Sequence, residues 1–135
     1  MTAKNIMKAF LSIKFYADNR NRPRVDGISA ALEKSGLSTY CIVRDLEKWG
    51  QVKSTPAELM RQTFLAIDMC DLVVIDLTEK GVGVGIEAGY AWAKGIPIIT
   101  IARQGSDISA TLQGISQQVI FYQQFDELSH IRINR

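Results

Sequence analysis

Residues 71–77, DLVVIDL, form an almost unbroken apolar run rich in branched side chains. A strand of this kind has no polar face to turn to water, so it belongs in the middle of a parallel sheet covered on both sides. Residues 96–102, IPIITIA, repeat the pattern. Between the two runs, TEKGVGVG reads as a glycine-rich turn and IEAGYAWAKG as a helix ending at Gly95. Strand, helix and strand in that order make a right-handed βαβ unit.

The rest of the chain extends this unit. Residues 7–15 read as a first strand, followed by the turn-rich loop ADNRNRPR. Beyond Pro23, Val25, Ile28 and Leu32 share one helical face, with Asp26 as the expected cap and Gly36 as the stop. Residues 38–43 predict a second strand. Residues 44–54, RDLEKWGQVKS, have no clean period and read as a loop with irregular helix. Thr55, Pro56 and Glu58 form a capping-box signature, and Met60, Phe64 and Ile67 continue it as a buried stripe ending near Cys70. Residues 107–115 predict a helix, 119–122 a last strand and 125–131 a short closing helix. The expectation is one α/β domain over residues 1–135, a five-stranded, mostly parallel sheet with helices on both faces in flavodoxin-like or Rossmann-like order. Ligands of such sheets bind beyond the carboxyl ends of the strands, which points to the loops beginning at Ser12 and Thr78.

Composition narrows the chemistry. With 47% hydrophobic and 22% charged residues the chain should build a true core, and a formal charge of +2 does not announce a nucleic-acid polymer as partner. Cys41 and Cys70 lie in apolar stretches without CxxC spacing and read as buried thiols. The first fourteen residues have no apolar leader core, and no window is long enough to span a membrane, so a cytoplasmic protein is expected. His130 is the single histidine, which disfavours histidine-based triads and multi-histidine metal sites. Chemistry falls to carboxylates, hydroxyls and backbone amides, with no metal or organic cofactor expected.

The segment Gly81 to Glu87, GVGVGIE, is the most informative. Gly83 and Gly85 suit a phosphate-cradling turn at a helix N-terminus, although the same glycines could serve only a tight turn with positive φ. Glu87 is expected in about the first turn of the helix, where the dipole would favour an ionised, nucleophilic carboxylate. Simple charge complementarity to the helix end is the alternative.

These residues carry a resemblance. CDLVVIDLTEKGVGVGIEAGYAWAKGIPIITI is similar to the core of the nucleoside 2-deoxyribosyltransferase family, particularly its branch of 2'-deoxynucleoside 5'-monophosphate N-glycosidases, with GVGIEAGYA as the specific part. The likeness extends loosely from FLSIK to SDISATLQG. It implies that Glu87 attacks the anomeric carbon, forming a glutamyl-sugar intermediate with net retention. It also implies that Ser12, Lys14 and Gly83 hold the 5'-phosphate, with Ser109 reaching it from a neighbouring subunit. The resemblance therefore implies a homodimer or higher homo-oligomer. Ser109 could instead serve its own helix N-terminus. Lys14 stands where the nucleotide hydrolases have arginine, giving a point charge without a fork.

Two departures matter. Thr63 occupies the position of the family's aspartate, the group that protonates or orients the leaving base, and threonine is no acid near neutral pH. Gly81 stands in place of a polar residue. Asp68 lies about 140° around the helix from Thr63 and is a poor substitute. Asp18, Asp45 and Glu47, in loops beside the expected pocket, are better candidates for the missing acid. Arg20, Arg22 and Arg24 could grip a phosphate, Tyr16 could stack on a base and Trp49 could close over it, each against a plainer reading as solvated or anchoring loop residues. Tyr90 and Trp92 read as packing residues. The leading expectation is a nucleotide N-glycosidase. Its alternatives are a base-exchanging deoxyribosyltransferase, a catalytically weakened nucleotide-binding module and, more remotely, an NAD-cleaving relative of the TIR type.

Overall fold

The computed structural model describes residues 6–133. Its strands are β1 (Met7–Ser12), β2 (Leu37–Tyr40), β3 (Leu72–Asp76), β4 (Ile98–Arg103) and β5 (Gln118–Tyr122). They pair in the order β2-β1-β3-β4-β5, every neighbouring pair parallel. This is the flavodoxin order, and its direction of winding reverses between β1 and β3. The helices are α1 (Arg22–Lys34), α2 (Pro56–Asp68), α3 (Val82–Ala93) and α4 (Ala110–Ile115).

Every residue of β3 is buried, as the unbroken apolar run requires. Successive side chains alternate between faces. Leu72 and Val74 join Ala9, Leu11, Ile99 and Ile101 in the core under Val25, Ile28 and Leu32 of α1. Val73 and Ile75 join Phe10 and Ile98 in the opposite core, under Ile67 of α2 and Val84, Ala88 and Ala91 of α3. Each fully buried aliphatic side chain contributes about 1.5–3 kcal/mol. The two cores together hold the three central strands, β1, β3 and β4, in fixed register.

Several boundaries differ from the sequence reading. β1 stops at Ser12 rather than at residue 15, and α1 starts at Arg22, ahead of Pro23, so Asp26 lies inside the helix and caps nothing. Asn21, the residue before α1, instead donates its side-chain amide to the Lys14 carbonyl at 2.8 Å. β2 stops at Tyr40, and the chain then turns through a single π-helical turn, Ile42–Leu46. The Thr55 cap forms, its hydroxyl accepting from the Glu58 amide at 3.2 Å, but Glu58 bonds Gln62 at 3.0 Å instead of completing the box. Of the expected stripe Ile67 is fully buried, whereas Met60 and Phe64 are half-buried. Phe64 stacks on Tyr90 with centroids 4.3 Å apart, while Trp92 stands exposed. α4 is shorter than expected because Ser109 is its N-cap, and Phe125–His130 close the chain as a 3-10 helix.

The largest revision concerns the glycine run. α3 begins at Val82, so Gly83 and Gly85 are helical and Gly81 is an extended N-cap. None of the three has positive φ; Gly36, Gly50, Gly95 and Gly105 do. The turn reading of these glycines is therefore set aside.

Two other glycines give a paired stability test. A Cβ on Gly27 would come within 2.3 Å of the Phe125 ring, whereas one on Gly89 meets nothing within 4 Å. Alanine gains about 1 kcal/mol of helix propensity at either site, but overpacking costs about 1–3 kcal/mol at the first. Urea unfolding is expected to find Gly89→Ala more stable than the parent and Gly27→Ala less stable.

Candidate active site

A cavity of about 420 Å³ opens where the winding of the sheet reverses. Its walls come from Lys14 and Phe15 after β1, from Cys41, Ile42, Val43 and Glu47 after β2, from Leu59, Met60 and Thr63 of α2, and from Gly81 to Val84 and Glu87 of α3. The expected loop after β1 therefore contributes directly. The segment after β3 contributes only from Gly81 onward, since Thr78 is turned back to cap Asp76 through both its amide, at 3.0 Å, and its hydroxyl, at 2.6 Å.

Glu87 lies six residues past the N-cap Gly81, in the second turn of α3. The dipole effect fades within the first turn, so it cannot dominate here. Burial does dominate, and pushes the Glu87 carboxyl up to about 7 against the opposing hydrogen bond from Ser12. The expected dipole-stabilised carboxylate is thus corrected to a carboxyl poised between its two forms at neutral pH. The Ser12 hydroxyl donates to Glu87 Oε1 at 2.9 Å, fixing the carboxyl from the end of β1.

The start of α3 exposes donors. The amides of Val82, Gly83 and Val84 have no partner within the helix, as in the first turn of any helix. Gly85 differs, because its amide donates to the Gly81 carbonyl at 3.3 Å and it does not line the cavity. A side chain on Gly83 would meet nothing within 4 Å, so the backbone there is bare toward the open side. A Cβ on Gly81 would sit 3.3 Å from Lys14 Cγ, which keeps the lysine stem against the helix start. The Lys14 ammonium lies 5.1 Å from the centre of the Tyr16 ring.

Thr63 reaches the cavity but its hydroxyl donates to the Leu59 carbonyl at 2.8 Å, inside its own helix. The other expected loop residues are occupied elsewhere. Asp18 pairs with Arg20 at 2.9 Å, Arg22 stacks on Trp49 at 4.7 Å, and Arg24 bonds Glu79 at 3.3 Å with buried Asp76 at 4.0 Å. Asp45 is locked to Arg44 at 2.8 Å and accepts from the Cys41 amide. None of these, nor Tyr16 or Trp49, lines the cavity. Asp68 accepts from the Tyr90 hydroxyl at 2.8 Å, away from it. Ser109 bonds Thr111 and the Leu112 amide within its own turn and does not reach the cavity of its own chain. Burial pushes the Cys41 thiol up to about 12 and the Cys70 thiol to about 11, which leaves both unreactive at neutral pH. Among the described residues no cluster of three His, Cys, Asp or Glu side chains could hold a metal ion, and no helix is long and apolar enough to cross a membrane.

The sequence reading missed the wall formed by Ile42 and Val43. Both were expected in a strand, and the only signal for the π turn was the aperiodic stretch that follows them. It also missed the apolar rim. Phe15 is 61% exposed and Val82 83% exposed at the cavity edge, an arrangement suited to a flat, apolar-faced group.

Comparison with known proteins finds relatives in sequence and in fold. A Thermofilum pendens protein named "Putative 2'-deoxynucleoside 5'-phosphate N-hydrolase 1" is 27% identical over 131 residues, covering 90% of this chain and 89% of the relative. A 2-deoxyribosyltransferase from Bacillus psychrosaccharolyticus superposes with a TM-score of 0.72 at 12% identity, covering 93% of each chain. The CMP N-glycosidase of Clostridium botulinum superposes with a TM-score of 0.60 at 22% identity, covering 90% of this chain and 94% of that one. No family model matches the sequence. The chain is thus similar in sequence to proteins named 2'-deoxynucleoside 5'-phosphate N-hydrolase and shares its fold with a 2-deoxyribosyltransferase, in line with the resemblance read from the sequence.

The raised Glu87 carboxyl carries a stability consequence. An acid whose folded pKa lies above its unfolded value binds more protons when folded, so its contribution falls as pH rises from about 4.5 to about 7. Glu87→Gln, which keeps an acceptor for Ser12, is expected to be more stable than the parent by about 1–3 kcal/mol at pH 8. Denaturant titration should find that difference gone at pH 4.5.

Proposed function

We propose that this protein hydrolyses the N-glycosidic bond of a (deoxy)nucleoside 5'-monophosphate through a glutamyl-sugar intermediate. The observation that carries the reading is Glu87, held by Ser12 at 2.9 Å inside a cavity that also contains Lys14 and the free amides of α3. Its ionised form would attack the anomeric carbon as the base departs, and water would then release the sugar from the same face. The similarity to a named 2'-deoxynucleoside 5'-phosphate N-hydrolase and to a CMP N-glycosidase supports a nucleotide over a free nucleoside.

Lys14 and the Gly83 amide are the phosphate-binding groups in this reading, because a cation beside a helix N-terminus suits a dianion. Ser12 serves Glu87 first and lies next to that subsite. Ser109 joins it only from a second copy of the chain, so the reading includes a homo-oligomer, and a cytoplasmic location accords with a soluble metabolite as substrate. Gly85 has no place in the contact set. The likeness in fold to a 2-deoxyribosyltransferase keeps base exchange as a second reading, in which an incoming base replaces water. A binding module with weakened catalysis is the third, favoured by the hydroxyl of Thr63 being turned into its own helix.

Chromatography of a panel of nucleoside monophosphates, nucleosides and NAD is expected to find free base only from the monophosphates. Release from NAD or from nucleosides alone, or from nothing, would overturn the reading, and a new nucleoside formed on adding a second base would favour exchange. Glu87→Ala is expected to lose at least about a thousand-fold in rate. Lys14→Ala is expected to raise KM for monophosphates by roughly ten- to a hundred-fold, the loss of one charge-assisted contact of about 1.5–3 kcal/mol.

A further inference from the structure

The glycosidase reading leaves the departing base without a proton source, because Thr63 cannot supply one. We propose that Glu47, on the segment after β2, is the general acid that protonates the leaving base. This inference rests on the glycosidase reading.

Glu47 and Glu87 are the two carboxyl groups on the cavity wall, contributed from different elements. Asp18 and Asp45, the other acids expected in loops beside the pocket, are each tied to an arginine and lie outside the wall. Glu47 has no such partner among the described residues.

The backbone around Glu47 is built to hold it. Its amide donates to the Ile42 carbonyl at 2.9 Å, closing the π turn, and its carbonyl accepts from the Gly50 and Val52 amides at 3.0 and 2.9 Å. The next three residues, Lys48, Trp49 and Gly50, all have positive φ, at 49°, 57° and 94°. Two of them are not glycine, and each such residue costs about 1–2 kcal/mol. Strain of this kind persists only where the surroundings over-determine it. Here Asn19 donates to the Trp49 carbonyl at 3.1 Å, Arg22 covers the indole, and Trp49 packs against the α1 core. A π turn followed at once by a left-handed turn therefore holds Glu47 on the cavity wall from a fixed backbone.

Its charge environment fits the role. Lys14, Cys41 and Glu87 are the other titratable groups that line the cavity; α2 presents only Leu59, Met60 and Thr63. On its own segment Arg44 and Asp45 neutralise each other and Lys48 is exposed, while Arg22 of α1 is held on Trp49. Burial raises the Glu47 carboxyl above its ordinary range, with no charge partner opposing it.

The step balances with one proton on the pair. Glu87 carboxylate oxygen bonds to the anomeric carbon as the carbon–nitrogen bond breaks, and the released electron pair on the base takes the Glu47 proton. Water then attacks the glycosyl ester, giving its proton to Glu47 and its hydroxyl to the sugar, and Glu87 leaves as carboxylate. The acid is restored.

The test compares parent, Glu47→Gln and Glu47→Asp on a nucleoside monophosphate across pH. It repeats the comparison on a deoxyribose 5-phosphate bearing p-nitrophenolate, a leaving group that needs no proton. The parent, which needs one proton on the pair, is expected to lose activity at high pH. Glu47→Gln is expected to fall about a hundred- to ten-thousand-fold on the nucleotide, lose that alkaline decline and keep a near-parental first-turnover burst of nitrophenolate. Glu47→Asp is expected to recover part of the nucleotide rate. An unchanged nucleotide rate, a retained alkaline decline, or equal first-turnover losses on both substrates would overturn the role of Glu47 alone, whereas a parent inert on both substrates would overturn the glycosidase reading with it.

Discussion

The hydrogen bond from Ser12 to Glu87 spans 75 residues of sequence and joins the last residue of β1 to the second turn of α3. It forms only if β1 and β3 are in register, which Ser12 opposite Ile75 secures, and only if α3 packs on the sheet through Val84, Ala88 and Ala91. The Glu87 carboxyl is pushed up to about 7 by a balance between these two requirements. Packing α3 on the sheet removes the carboxyl from water and raises its pKa, while the serine at the strand end partly reverses the shift. A glutamate on an exposed helix would remain ionised but would be solvated and poorly aimed. One without Ser12 would hold its proton more tightly.

The glycines of α3 make sense in the same frame. A glycine in a helix interior costs about 1 kcal/mol relative to alanine, and this helix carries Gly83, Gly85 and Gly89. Positive φ does not explain them. The absence of side chains at Gly81 and Gly83 leaves the first turn uncovered beside Lys14, so its unpaired amides remain open to a ligand. The helix gives up propensity at the end where donors are exposed and recovers it through small residues, Ala88 and Ala91, packed closely on the sheet.

Much of the fold was legible because the buried strands advertise themselves. A strand buried on both faces must be apolar throughout, and residues 71–77 and 96–102 read that way without help from context. The helices were equally plain in their stripes, although their starts were not. Asp26 looked like a cap because sequence shows a suitable side chain, whereas the helix start was decided by Asn21 reaching back to the Lys14 carbonyl. That Glu87 and Lys14 share one cavity was legible, Glu87 from the glycine spacing and Lys14 from the resemblance carried by FLSIK. The protonation of Glu87 was not, because the balance between dipole and burial depends on how far along α3 it sits. The three arginines of the first loop illustrate the same limit. Sequence displays their charge but not Asp18, Trp49 and Glu79, the partners that occupy them.

The segment after β2 is where local rules fail most completely. Its residues 42 and 43 continue an apolar strand pattern, yet the chain leaves the sheet at Cys41 and winds into a π turn. Two interactions across the chain decide this. Arg44 reaches back to the Thr39 carbonyl and hydroxyl, at 2.9 and 3.1 Å, and to Ser29 of α1 at 2.8 Å, while Asp45 takes the Cys41 amide at 2.8 Å. An extended continuation would separate Arg44 from Thr39 and leave the charged pair without these partners. Folding back costs the strain at Lys48 and Trp49, and it turns Ile42, Val43 and Glu47 toward the cavity instead of out along the sheet edge. The ion pair of Arg44 and Asp45, itself outside the cavity, therefore determines which residues form the wall opposite Glu87.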